Sequence, residues 1–305
     1  PNYQHGFNNN TIIVNNGAVM KTRTGMTVLR HLLPRDTARQ VLEGTRAYED
    51  SVALDEGPRS EAGSGPRPIE IAILRYPRIA NFDDFDPLST ETDVSVRFVN
   101  PGEVVPPDAD VVILPGSKST RSDLAFLKAQ GWDIDLRALH RRGTRIMGLC
   151  AGYQMLGRAV RDPAGVEGSP GESVGLGLLD IETTIGPSKI LREAAAVHLP
   201  TGGTVKGFEM HMGETSGPDL ANPLLRFDGG GLDGARSACG RLEGCSLPGL
   251  FTADTFRGAF LAAIREGRAP GARYDQQVEQ TLDRLADHLA AHLDMDKLLA
   301  IARSR

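Results

Sequence analysis

The residues of this chain best placed, by type and spacing, to do chemistry are Gly148-Leu149-Cys150-Ala151-Gly152. They have the form G-x-C-x-G, the nucleophile-elbow pattern with sulfur in place of the hydroxyl. Residues 144–149 before them are a short apolar run with β-branched character, and residues 153–156 after them favour helix. A nucleophile on a tight strand-to-helix turn is pushed into a strained backbone conformation, and its neighbours must lack bulk for the turn to close. Cys150 would then stand at a helix N-terminus, where free N–H groups favour thiolate over thiol. The N–H of Ala151 would point at the oxyanion of a substrate under attack. The plain alternative is a small buried residue at a strand end. The motif at a strand-to-helix switch favours the nucleophile.

The elements that must position this group follow from the pattern beyond residue 69. Residues 69–74, 94–99 and 109–114 read as strands, and 80–87 as a loop running into a helix start. Residues 122–129 and 134–141 read as helices, and 144–149 as the strand leading to Cys150. Strands alternating with helices at this spacing predict an α/β fold, a mostly parallel sheet flanked by helices. Ligands of such sheets bind at the carboxyl ends of the strands. Strands ending at Leu114 and Leu149 can therefore bring Gly116 and Cys150 to one site. The second half predicts hairpin-like strands at 177–184 and 203–211, with a loop or short elements around 190–194 between them. A last short sheet segment is expected at 246–251, and helices at 256–265 and 276–303. The final helix carries Val278, Leu282, Leu285, Leu289 and Leu293 at three- and four-residue intervals, an apolar stripe suited to covering the sheet.

At 305 residues the chain suits two unequal domains or one domain with appendages. With 40% hydrophobic and 24% charged residues and a net charge of −5, it has no nucleic-acid footprint. No apolar run reaches membrane-spanning length, and the start has neither a basic nor an apolar signal region. Three cysteines without metal-ligand spacing fit a reducing compartment, so a cytoplasmic location is expected, with neither membrane nor nucleic-acid partners. Residues 1–55 hold apolar segments at 11–14, 27–33 and 49–54, too little for an independent core. Partial disorder is expected for residues 1–47. Residues 56–68, rich in Gly, Pro, Ser and charge, read as a linker, and 69–305 as the main domain. The chain does not open with Met and reads as processed or as a fragment.

Three stretches carry a family resemblance: Leu114-Pro-Gly-Ser-Lys-Ser-Thr120, Gly148-Leu-Cys-Ala-Gly-Tyr-Gln-Met-Leu-Gly157 and Gly207-Phe-Glu-Met-His-Met-Gly-Glu-Thr215. They resemble the glutamine amidotransferase domain of cobyric acid synthase. Arg78-Ile-Ala-Asn-Phe-Asp-Asp-Phe-Asp-Pro-Leu88 and the C-terminal helix extend the likeness to essentially everything from residue 48 onward. The Gly116-Ser117-Lys118 turn points to this branch rather than to the related synthase that amidates the a and c positions of the corrin ring. The resemblance implies a class I glutamine amidotransferase-like (flavodoxin-like) domain after a short, incomplete N-terminal segment. That segment, residues 1–55, resembles the tail of the family's ATP-dependent synthetase domain, and no G-x-x-x-x-G-K-[ST] occurs in the chain. No cofactor is therefore implied for this chain, and ATP and Mg only with the synthetase domain. The implied partners are glutamine and, through that domain, the corrinoid adenosylcobyrinic acid a,c-diamide, amidated at four carboxylates in cobalamin biosynthesis.

The family implies Cys150 as nucleophile, oxyanion contacts from the Gly116 turn and Ala151, and a histidine as proton shuttle. Here the family's catalytic-histidine position is Pro248, in Ser246-Leu-Pro-Gly-Leu-Phe251. Proline has no proton to exchange and no backbone donor. His211 is the one substitute base the family motif suggests, though there it accompanies the catalytic histidine. The i, i+4 pair His288 and His292 lacks a third metal ligand and reads as a solvated helix face, and no metal is expected. Lys118 reads equally as a carboxylate contact or an ordinary surface residue, and Cys239 and Cys245 as incidental. Impaired glutaminase activity is expected. A non-catalytic scaffold of the same fold, or a cysteine glutaminase of another amidation pathway, remain the alternatives, so the sequence leaves open whether the chain is an enzyme.

Overall fold

The computed structural model describes residues 11–14, 17–21, 27–31, 67–294 except 269, 270 and 272, and residue 297; the side chains of 11–31, 188–191 and 211 lie outside that description. The chain divides into two compact units, Ser64–Val278 and Pro1–Gly63 with Glu279–Arg305. In the latter, Thr11–Val14, Gly17–Lys21 and Thr27–His31 form a three-stranded antiparallel sheet. The apolar segments at 11–14 and 27–33 are thus strands over most of their length. The third, at 49–54, lies outside the described residues, as do 32–66, which hold most of the expected linker.

The larger unit is built on β1 (Ile69–Leu74), β2 (Val94–Val99), β3 (Val111–Leu114), β4 (Arg145–Leu149) and, much later in sequence, the strand Leu242–Cys245. These lie side by side in the order β2-β1-β3-β4 and then Leu242–Cys245, all parallel. The two-residue strand Ala235–Arg236 (β9) closes the sheet antiparallel. This is the flavodoxin-like order, with strand direction of winding reversing between β1 and β3. The strands are apolar throughout because both faces are covered. Ala72, Leu74, Val112, Leu114 and Ile146 pack into one cluster with Leu124, Leu127, Trp132 and Leu136. Ile69, Ile71, Ile73, Val111, Ile113, Met147 and Leu149 face the other way, onto Phe251, Phe256, Phe260 and Leu261. The period-two alternation of the strands sorts these residues to opposite faces.

The helices over the first face are α1 (Thr120–Ala129) and α2 (Trp132–Arg141), with α3 (Ala151–Leu156) leaving the end of β4. Asp254–Ala262 supplies the helix of the second face. The α/β class and parallel sheet read from the sequence are found, with element ends moved by a few residues.

Beyond α3 the expectations need correction. β5 (Ala159–Asp162) and β6 (Gly171–Val174) join a second sheet whose spine is β7 (Glu182–His198) paired antiparallel with β8 (Thr204–Ser216). Residues 190–194, expected as loop or short elements, continue β7. The ladder shifts register between Thr184 and Lys189, around Pro187, which has no N–H to donate. The expected strand at 246–251 is instead a turn and a 3-10 helix (Leu250–Thr252); the strand beside β4 is the preceding segment, Leu242–Cys245 (β10), buried along its whole length. The C-terminal helix, Tyr274–His292, has no fully buried residue, and its apolar stripe is only half-buried. Residues 298–303, the expected end of that helix, lie outside the described residues.

Candidate functional site

Cys150 sits between the last residue of β4 and the first of α3 with φ 51° and ψ −113°. With Asn81 it is one of two described non-glycine residues at positive φ. Such a conformation costs about 1–3 kcal/mol and persists only where the surroundings over-determine it. The surroundings are tight. A Cβ on Gly148 would lie 2.6 Å from the Gly152 oxygen and the Tyr153 nitrogen, and one on Gly152 would overlap the Leu114 carbonyl. Both glycines of the motif are therefore there for close approach. The Cys150 N–H donates to the Cys245 carbonyl at 2.8 Å, fixing the turn to the end of β10.

Gly116 comes to the same place from the end of β3. A Cβ built on it would stand 3.7 Å from the Cys150 Cβ. The turn is braced from beneath: Tyr76 Oη donates to the Pro115 carbonyl at 2.8 Å, and Ser117 Oγ donates to the buried Asp123 carboxylate at 2.6 Å. Asp123 also accepts the Arg78 N–H at 3.1 Å. Gly116, Cys150 and Ala151 are thus brought together. Lys118, in the same turn, is exposed.

The electrostatics around the sulfur oppose one expectation. Cys150 Sγ donates to the Met210 carbonyl at 3.2 Å, and its pKa is pushed up to about 11. Burial is the main cause. The Ala151 N–H pulls the other way, and the carboxylates of Asp84, Glu167 and Asp233 add to the rise. The short α3 does not outweigh them, so the shift runs opposite to the direction expected at a helix N-terminus. Asp84 is itself pushed well above the usual carboxyl range by burial and by Asp83, although it accepts the Gly249 N–H.

Residue 248 lies beside this sulfur's partner strand. Met210 N–H donates to the Ser246 carbonyl at 3.2 Å and Phe208 N–H to the Pro248 carbonyl at 3.3 Å. The buried Pro248 therefore runs along the same short ladder that carries the carbonyl bonded to Cys150. His211 follows Met210 on β8, opposite Ile190, and its side chain lies outside the described residues. Among the described residues no imidazole hydrogen-bonds Cys150. His198 is buried elsewhere, its Nδ1 2.7 Å from Thr201 Oγ1 and its ring edge-on to Phe256. His288 and His292 stack with centroids 4.2 Å apart on Tyr274–His292, both largely exposed.

Several groups at this site carried no role in the sequence reading. Gln154 stands one helical turn after Cys150, a spacing that could have flagged it. Its Oε1 and a Glu167 oxygen each lie 3.1 Å from the Thr120 hydroxyl. Glu167 also accepts the Thr120 N–H at 2.6 Å, capping α1 from a loop 47 residues away. No local pattern marks Glu167 or Asp233, which only the fold brings near Cys150.

Residues 70–256 match the CobB/CobQ-like glutamine amidotransferase domain. The chain belongs to that family. It is 54% identical over 256 residues to cobyric acid synthase of Methylorubrum populi, covering 84% of this chain and 51% of that protein. Cobyric acid synthase of Bradyrhizobium diazoefficiens is 50% identical over 262 residues, 85% of this chain and 52% of that one. The chain thus spans about half the length of the curated relatives it matches. Among solved structures, PurLQS from Thermotoga maritima aligns with a TM-score of 0.47 and 18% identity over 71% of this chain and 100% of that one. Family membership and the strand order together give the fold as class I glutamine amidotransferase-like. Among the described residues, no helix is long and apolar enough to cross a membrane and no group of three or more His, Cys, Asp or Glu is arranged to hold a metal ion.

Proposed function

We propose that this chain is the glutamine amidotransferase part of a cobyric acid synthase, supplying ammonia from glutamine for amidation of a corrinoid in cobalamin biosynthesis, in the cytoplasm. The observation that carries the reading is Cys150 at φ 51° on the turn between β4 and α3, within a G-x-C-x-G whose two glycines leave no room for a Cβ. Cys150 Sγ would attack the glutamine carboxamide carbon. The oxyanion would be met by N–H groups of Ala151 and the Gly116 turn. The C–N bond then breaks, ammonia leaves with an added proton, and water hydrolyses the thioester to glutamate and the free thiol. The ATP- and Mg-dependent ligation belongs in this reading to a synthetase domain, of which residues 1–55 would be the tail, 56–68 the linker, and 69–305 the amidotransferase domain.

Both proton transfers need a group that Pro248 cannot supply, and the thiol near pKa 11 gives little thiolate at neutral pH. These two observations favour impaired turnover, and with it the second reading: a scaffold that keeps the pocket and has lost the acid-base. His211 is the remaining proposed substitute base. Labelling by a diazo-ketone analogue of glutamine, followed by mass spectrometry of the intact chain, tests whether the site that both readings share is assembled. Selective, glutamine-blocked modification of Cys150 is expected. Labelling spread over Cys239 and Cys245, or none, would overturn the assignment of the site.

A further inference from the structure

The opposite end of the sheet holds a second concave feature. A cleft of about 610 Å³ opens at the amino ends of β3, β4 and β10, lined by Arg67, Arg142, Arg145, Arg241 and Cys239. Five strand residues at about 3.3 Å each put it roughly 17 Å from the elbow, so it does not share the Cys150 site. Its charge is unbalanced. Arg67 pairs with Asp110 at 2.7 Å, and Arg145 donates to the Ala263 carbonyl at 3.1 Å. Asp108 is the other carboxylate of the lining. Among the described residues neither Arg142 nor Arg241 has a carboxylate partner, although both line the same cleft.

We propose that this cleft binds a small polyanion of the pyrophosphate class, held chiefly by the guanidinium groups of Arg142 and Arg241. Guanidinium forks match pairs of phosphate oxygens and lose less hydration than ammonium groups on doing so. The remaining walls are Pro107, Ala109, Ala263 and Ile264, with no aromatic ring against which a nucleobase could stack. Recognition therefore rests on the anionic oxygens. The site already stabilises negative charge: the exposed Cys239 thiol is held below its ordinary range, first by the Ser237 hydroxyl at 3.3 Å and also by Arg241.

Cys239 is a built-in reporter, because a bound polyanion both covers it and opposes its thiolate. The full chain would be alkylated with iodoacetamide at constant ionic strength, with and without pyrophosphate, and each cysteine followed by peptide mass spectrometry. About 1 mM pyrophosphate is expected to slow Cys239 modification roughly tenfold, as occupancy at about ten times Kd requires, and to leave Cys150 unaffected. In an R142A/R241A variant with an unchanged urea midpoint, the ratio of rates with and without pyrophosphate is expected to return to one. Protection no greater than that from chloride, or protection that persists in the variant, would overturn the proposal. Equal protection by citrate would overturn the phosphate class. None of these outcomes depends on glutaminase activity.

Discussion

A cysteine is useful to a hydrolase in proportion to how readily it loses its proton, and at Cys150 burial and three carboxylates hold that proton on. With a pKa near 11, thiolate rises about tenfold for each pH unit below that value. The rate of Cys150 alkylation is therefore expected to climb steadily from pH 7 to 10 without a plateau, measured by peptide mass spectrometry. A plateau near pH 7 would show a base acting on the sulfur. Asp84→Asn removes the largest of the opposing charges, so at pH 9 it should speed the same reaction. The missing base is addressed by Pro248→His. Positioned acid-base groups contribute about a hundred- to ten-thousand-fold, and that gain in glutamate release is expected of the variant. An unchanged rate would mean that residue 248 does not face the substrate.

At the scale of elements, the elbow depends on strands approaching closer than a side chain permits. Gly152→Ala would drive a methyl into the Leu114 carbonyl at the end of β3. Overpacking of this kind costs about 1–3 kcal/mol, seen as a lower urea midpoint, together with loss of selective Cys150 labelling. The β7–β8 hairpin has its own pH signature. Burial, with a smaller contribution from Arg236, lowers the His198 pKa to about 4, below its ordinary value near 6.5. The unfolded chain therefore binds a proton that the folded one refuses, and stability falls as pH drops from about 6.5 towards 4. Other groups titrate in this window, so the test is a difference. The gap in urea midpoint between pH 7 and pH 5 should shrink in His198→Gln. An unchanged gap would assign the slope elsewhere.

At the scale of the larger unit, a buried ion cluster ties distant segments together. Glu91, 2% exposed at its side chain, receives Arg257 of the helix Asp254–Ala262 at 2.6 Å, and Arg268 at 2.5 Å. Arg268 also meets Asp93, immediately before β2. The cluster fastens the helical layer of the second face to the sheet edge across more than 160 residues of sequence. Removing Glu91 strips each buried guanidinium of one carboxylate, Arg257 keeping Asp254 and Arg268 keeping Asp93, a loss of up to about 3–5 kcal/mol. Glu91→Ala is expected to lower unfolding stability by that amount in urea titrations. A loss under 1 kcal/mol would mean that water reaches the guanidinium groups.

Features that depend only on neighbours along the chain were legible in the order of residues. The strand runs at 69–74 and 94–99, the helices at the positions of α1 and α2, and the G-x-C-x-G turn all follow from periodicity and backbone sterics acting over a few residues. The family followed from three short motifs, and Pro248 stood out against one of them. Other features arise between residues far apart in sequence. The continuous β7 arises because β8 offers it a ladder, which outweighs the local loop signals around Pro187. The final sheet strand is Leu242–Cys245, a segment with glycine at its centre, because β4 leaves a buried edge for it. The upward pKa shift of Cys150 has the same origin. Its helix N-terminus argued for thiolate, but Asp84, Glu167 and Asp233 arrive from three other segments. In a buried site their charges and the loss of water outweigh one short helix.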